Sequence, residues 1–423
     1  MGTSSIFERY ESQVRSYCRD ISVVFQRASG HLLIDENGRS YIDFLAGAGA
    51  LNYGHNNPEL KRAVIDYMAA DGVTHSLDLF TEAKRAFIQE FQQTILAPRQ
   101  LDYRMQFTGP TGANAVEAAL KLARRVTSRT SIVSFTNSFH GMSYGALATS
   151  GLRRKRAGAG FPLVGVDRFP FDGYLGPDVD TLAYIDAALS DPGSGIDAPA
   201  AFIVETLQAE GGLNEASVNW LRGLADVAHK HGALLIVDEI QTGCGRTGPF
   251  FSFERAGLHP DIVCLAKSIG GLGLPMALVL MRPEHDVWEP GQHNGTFRGN
   301  NLAFVAGTQA LQFWREPSFQ ASIERKADLV RSHLAEIARA TGGELRGLGM
   351  LQGVIWRDRG FARAVAKRAL EGGVIVETCG AWDHVLKVMP PLTIPEAALS
   401  DGLSRIKRAA LAEMASPQFD VAV

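Results

Sequence analysis

The chain has 423 residues, 46% of them hydrophobic, and carries 42 Lys and Arg against 45 Asp and Glu. That length fits a large domain with a smaller companion, and the apolar content excludes global disorder. A formal charge of −3 gives no footprint for nucleic acid and no polybasic attraction to a membrane.

The N-terminal stretch MGTSSIFERYESQVRSYCRD is charged and lacks an apolar signal core. Gly2 follows the initiator, but Ile6 stands where a myristoylation signal needs Ser or Thr. Among the later segments, the longest apolar run lies between Lys267 and Arg282. It contains Pro275 and is shorter than the roughly 20 residues of a membrane span. Cys18, Cys244, Cys264 and Cys379 have no CxxC spacing. The expectation is therefore a cytoplasmic protein with neither a disulfide framework nor a metal site.

In chain order, residues 1–30 read as a helix and an extended arm. HLLIDENGRSYIDFL follows, with Asn37-Gly38 between alternating apolar residues, a hairpin signal. PELKRAVIDYMAA and EAKRAFIQEFQQTIL have helical periodicity. Short apolar runs then alternate with helical stretches: YRMQF, SIVSF, AAFIVE, ALLIVD and DIVCLA. This alternation predicts an α/β fold with a mostly parallel sheet covered on both faces. From about residue 303, long helices alternate with the strand-like MLQGVIW, GVIVE and VLKVM. The expected organisation is residues 1–56 joining a small α+β domain, a large domain over 57–302, and the small domain over 303–423.

Asp238 ends one apolar strand and Lys267 follows another. In open α/β sheets ligands sit at the carboxyl ends of strands, so this pair can share a crevice. A lysine amine forms a Schiff base with the aldehyde of pyridoxal phosphate, and a carboxylate keeps the pyridine nitrogen protonated. Each residue alone reads first as a loop cap or a surface lysine. Together, at the ends of buried strands, they point to this cofactor, because a lysine is rarely placed there unused. The turn Gly109-Pro110-Thr111-Gly112 precedes a helix expected near Asn114, whose free N–H groups suit a phosphate. Asn114 and Glu117 have the spacing of a capping pair. Phe139, His140 and Gly141 follow another strand, where an aromatic ring can pack on a planar cofactor. Gly243-Cys244-Gly245-Arg246-Thr247-Gly248 matches GxGxxG, but PFFSFERAG follows it where a dinucleotide fold needs a helix.

These motifs, with NGTFRGN and VMPPLTIP, resemble the class III aminotransferases, pyridoxal 5'-phosphate enzymes of fold type I. Within the class, QFTGPTGANAVEAA, VETLQAEGG and GCGRTGPFFSFE are most similar to members acting on diaminobutyrate in ectoine synthesis. The resemblance implies Lys267 as the cofactor-bound lysine and proton carrier, and Asp238 at the pyridinium nitrogen. It implies Gln241 at the ring hydroxyl, Phe139 stacked on the ring with His140 beside it, and backbone N–H groups of Gly112 and Ala113 at the phosphate. Thr296 would reach the phosphate of a neighbouring subunit, implying a homodimer or higher homo-oligomer. Glu210, Arg298 and Lys387 would contact substrate. Lys387 stands where ornithine-type relatives carry Arg. Arg298 stands where a glycine is common.

The implied reaction moves an amino group between the terminal amine of a small diamino acid, 2,4-diaminobutyrate first, and a 2-oxo acid. A class member of natural-product or siderophore synthesis, acting on another amine or ketone, has the same apparatus. A non-catalytic cofactor-binding regulator would need an added DNA-binding segment, and no basic helix-turn-helix stretch is visible.

Overall fold

A computed structural model describes residues 4–416. Its central element is a seven-stranded sheet. Across the sheet the strands run Arg104–Phe107, Leu278–Met281, Ile262–Leu265, Leu234–Asp238, Ala201–Val204, Ile132–Phe135 and Val166–Phe169. All are parallel except Leu278–Met281, which is antiparallel to both neighbours. The sequences IVSF, AFIV, LLIVD and IVCL are buried along their whole length, as a sheet covered on both faces requires. The reversed strand lies inside the long apolar run after Lys267. Continuous hydrophobicity carries no sign of direction, so the sequence reading does not resolve it.

The Asn37-Gly38 hairpin forms between Leu32–Asp35 and Ser40–Asp43. Asp35 Oδ1 accepts bonds from the backbone of Asn37 and Arg39, both at 2.9 Å, and Gly38 takes φ 83°, a left-handed conformation natural to glycine. Strand Ser40–Asp43 pairs in parallel with Val374–Ile375. GVIVE is thus divided. Val374–Ile375 joins the N-terminal hairpin, whereas Glu377–Cys379 pairs with Val385–Val388 in a separate four-stranded sheet. Ile42 and Phe44 pack in one core with Val330, Leu334, Val354, Leu386 and Leu403. The helices Pro317–Thr341 and Glu396–Met414 cover this core. Among the described residues, no helix is long and apolar enough to cross a membrane.

The GxGxxG segment is a run of turns, and only the short 3-10 turn Ser252–Ala256 follows it in place of an α-helix opening at the glycines, which removes the dinucleotide reading. Its Arg246 is fully buried. Arg246 donates to the carbonyls of Met350 at 3.1 Å and Pro390 at 2.6 Å, and to Asn52 Oδ1. Burial pulls its guanidinium pKa down to about 9. Replacing it by Met strands three acceptors away from water, each costing about 1–3 kcal/mol. An Arg246→Met protein is expected to lose at least about 3 kcal/mol of stability, read as a lowered urea midpoint. An unchanged midpoint would show that the acceptors find other donors.

Candidate active site

The carboxyl ends of the central strands open onto a cavity of about 400 Å³. Its wall includes Gly112, Ala113, Phe139, His140, Glu205, Glu210, Asp238, Gln241 and Lys267. Residues from five separate segments therefore converge where the strand ends of an α/β sheet place ligands.

Asp238 is the last residue of its strand. Its Oδ2 lies 2.8 Å from His140 Nδ1, and both side chains are buried. Its Oδ1 accepts the Ile240 N–H at 3.0 Å. Lys267 follows strand Ile262–Leu265 and begins a short turn with φ 55°. A non-glycine residue in this left-handed region is strained and persists where its surroundings enforce it. The neighbouring Ser268 hydroxyl anchors the turn, donating to Gly49 O at 2.6 Å. Burial lowers the Lys267 ammonium pKa, and nearby Lys387 adds to the effect against the opposing pull of Glu210. An amine that sheds its proton more readily is a better nucleophile and proton carrier.

Helix Gly112–Thr127 points its first turn at the cavity. Its cap is not the expected Asn114–Glu117 pair. Thr111 caps it, accepting the Asn114 N–H at 3.4 Å. Glu117 instead takes the Gly145 N–H at 2.8 Å, the Ala146 N–H at 3.1 Å and the Ser143 hydroxyl at 2.6 Å. Thr111 stands three residues before Asn114, which puts the helix start one turn earlier than the Asn114–Glu117 spacing predicts. A Cβ on Gly112 would stand 3.0 Å from two carbons of Ile240, so glycine lets the helix start sit against that side chain.

Gln241 donates Nε2 to Ala48 O at 3.0 Å. Phe139 presents its backbone N–H to Glu205 Oε1 at 2.8 Å. Glu205 also accepts the Ala209 N–H at 3.3 Å. Burial raises its carboxyl well above the usual range, and Asp238 pushes the same way. Glu205 was missed in the sequence, although it stands in the VETLQAEGG stretch that marks Glu210.

Lys387 is fully buried. Its Nζ lies 2.6 Å from Glu210 Oε1 and 3.0 Å from Glu377 Oε1. Burial acts to lower its pKa, but Glu210 and Glu377 outweigh it and hold the ammonium well above its ordinary value. Burial likewise tends to raise Glu210, but Lys387 and then Lys267 bring it down to about 2. No spacing rule in the sequence links residue 377 with 387. They meet because they are directly opposed across two antiparallel strands.

Three predicted residues lie outside this cavity wall, Lys387 behind Glu210, Thr296 and Arg298. Thr296 is exposed. Arg298 bonds Asn294 O through Nη2 at 2.8 Å.

Two polar atoms of the site, His140 Nε2 and Gln241 Oε1, are buried without a hydrogen-bond partner. Such atoms are uncommon and call for a ligand, water or ion. A planar, polar, phosphate-bearing ligand fits this set. The helix start offers free N–H groups to an anion, Asp238 offers a buried carboxylate, and Lys267 offers an amine.

Comparison with known proteins agrees with this geometry. The family model for class-III aminotransferases matches residues 15–410. The chain is 53% identical over 407 residues to a diaminobutyrate–2-oxoglutarate transaminase of Bordetella parapertussis, covering 95% of this chain and 94% of that one. It is 54% identical over 410 residues to the enzyme of the same name from Streptomyces coelicolor, covering 96% and 97%. Among solved structures, ornithine aminotransferase from Toxoplasma gondii ME49 superposes with a TM-score of 0.84 at 28% identity, covering 97% and 96%. The fold and site define a pyridoxal-phosphate-dependent transaminase of fold type I. The chain belongs to the class III aminotransferases.

Proposed function

We propose that this enzyme interconverts L-2,4-diaminobutyrate and 2-oxoglutarate with L-aspartate 4-semialdehyde and L-glutamate. The observation that carries this reading is identity above 50% along nearly the full chain to transaminases bearing that name. The expected pathway role is that of ectoine synthesis, in the cytoplasm.

When bound, pyridoxal phosphate supplies an electrophilic carbon and an electron-accepting ring. Lys267 would hold the cofactor and carry a proton between the two carbons that exchange the amino group. Asp238 would keep a proton on the ring nitrogen, and His140, 2.8 Å away, orients that carboxylate. Phe139 and Gln241, both in the cavity wall, would meet the ring and its hydroxyl. The N–H groups of Gly112 and Ala113 would hold the phosphate.

A second copy of the chain completes the phosphate site through Thr296. The surface beside it supports this assignment. Phe297 and Phe80 are exposed, Phe80 completely. His75 and Phe297 meet edge to face at 5.2 Å, which puts exposed aromatic surface beside Thr296. Exposed aromatic patches of this kind mark interaction surfaces.

For the terminal amine to react, the α-carboxylate of the diamino acid must lie away from Lys267. Glutamate presents its α-amine to the same place and its second carboxylate to the opposite wall. Lys387 is the cation for a substrate carboxylate, once Glu210 yields it. Lys387→Met is therefore expected to raise KM for glutamate or the diamino acid by about tenfold or more, since losing a buried charge partner costs about 2–5 kcal/mol. Unchanged KM values for both would remove Lys387 from substrate binding.

The reading is tested with purified holoenzyme, 2-oxoglutarate and a panel of amines that includes ornithine and 4-aminobutyrate. The product position is read by mass spectrometry. Diaminobutyrate is expected to react best and to yield the semialdehyde or its cyclised form. A 2-oxo acid formed from diaminobutyrate, or a clear preference for another amine, would overturn it.

A further inference from the structure

The two carboxylates on Lys387 are not equivalent. Glu210 lines the cavity, and its side chain retains 22% exposure. Glu377 is outside the cavity wall, and its side chain retains 9%. Glu210 stands in a turn, where its carbonyl accepts the Gly380 N–H at 2.9 Å. Glu377 stands on a strand, paired in register with Lys387 itself. One carboxylate is thus reachable by a substrate, and the other is part of the sheet that carries the cation. Both lie within ion-pair distance of one Nζ, so each weakens the hold of the other.

This arrangement has a consequence for a site that takes two kinds of ligand in turn. A diamino acid brings an extra ammonium, which tolerates Glu210 beside the cavity. Glutamate and 2-oxoglutarate bring an extra carboxylate, which must compete with Glu210 for Lys387. If Glu210 were the sole partner, the pair would be tighter, and its opening would leave a buried cation uncompensated, which is strongly unfavourable. With Glu377 behind it, Lys387 stays charged, paired and on its strand while Glu210 moves.

We infer that Glu377 is a specificity-determining positioning residue, the fixed counter-ion that lets Lys387 exchange Glu210 for the second carboxylate of a dicarboxylic substrate. The inference rests on the reading that a dicarboxylate occupies this cavity in one half-reaction. It assigns to Glu377 no contact with substrate or cofactor.

The test is the Glu377→Gln holoenzyme, assayed by steady-state kinetics in both half-reactions, with Glu377→Asp alongside. Gln keeps the shape and removes the competing charge, so Glu210 binds Lys387 more tightly. KM for 2-oxoglutarate and for glutamate is expected to rise about tenfold, one decade being a modest change in a charge pair. KM for the diamino acid, and kcat with saturating substrates, are expected to stay within about twofold. Asp keeps the charge at a shorter reach and is expected to leave a smaller rise in the same two KM values, about threefold. A parallel fall in kcat for both substrates, or KM values that do not separate the dicarboxylate from the diamine, would overturn the inference. If the Gln variant does not fold, the Asp variant decides. Its shorter reach is expected to raise KM for the dicarboxylate alone, and equal effects on both substrates, or none, would sink the idea. The parent enzyme separates this inference from the wider reading. Should it prefer another amine, the diaminobutyrate assignment fails, and the same comparison is made between 2-oxoglutarate and that amine.

Discussion

Lys267→Ala is expected to lower transamination by at least about 10⁴-fold, because one side chain provides both the covalent anchor and the moving proton. Its place in the structure explains why no neighbour substitutes for it. Lys387, another lysine whose charge acts on Lys267, is itself locked between Glu210 and Glu377. Lys267 begins a strained turn that is anchored through Ser268 to Gly49, so the substitution leaves the strain as it is and removes no hydrogen bond from the frame. The variant is expected to melt no lower than the parent and to lose the visible absorbance of the holoenzyme. Full turnover by this protein would end the assignment of Lys267 as the reacting amine.

Asp238→Asn has the second-largest expected effect. The amide keeps the shape, and its oxygen can still meet His140, but the negative charge is gone. An opposite charge in hydrogen-bond reach shifts a partner's pKa by about 1–3 units, and the ring nitrogen loses that support. Removing a preorganised electrostatic group of this kind costs about 100-fold or more in kcat. The loss is expected to deepen as the pH rises, because a nitrogen with a lowered pKa gives up its proton earlier. A rate within about threefold of the parent, in an assay of such a group, would make Asp238 a structural residue. Measuring His140→Asn in parallel separates orientation from charge, since that change leaves the carboxylate but removes its 2.8 Å partner.

Much of this site was legible because the chemistry sits at the ends of runs with a clear period. LLIVD and IVCLAK announce buried strands, and Asp238 and Lys267 follow from where those strands stop. The hairpin at Asn37-Gly38 was legible for the same reason, since local turn chemistry fixes it. What stayed hidden is what only pairing between distant segments decides. Glu377 meets Lys387 through strand register, and GVIVE carries no mark of the change of sheet at Val376. The reversed strand Leu278–Met281 is invisible to hydrophobicity. The cap at Thr111 was missed because Asn114 and Glu117 formed a plausible competing motif three residues later. Glu117 was spent on another helix start that the sequence does not link to it.

Arg246 sets an order on the making of this enzyme. Its three acceptors lie 104, 144 and 194 residues away along the chain, on both sides of it. Domains fold as units, N-terminal parts first as they emerge during synthesis. A nascent chain that ends shortly after residue 380 already contains the strand ends at Asp238 and Lys267, the helix start at Gly112 and the Phe139 turn. It lacks Pro390, so Arg246 would stand buried with its set of acceptors incomplete, and it lacks Lys387, so Glu210 and Glu377 would face each other without a cation. The cofactor-binding elements are thus translated well before the segment that settles their charges. Loading with cofactor is expected to be a late event, waiting for the segment that carries Lys387 and Pro390 to close these distant contacts.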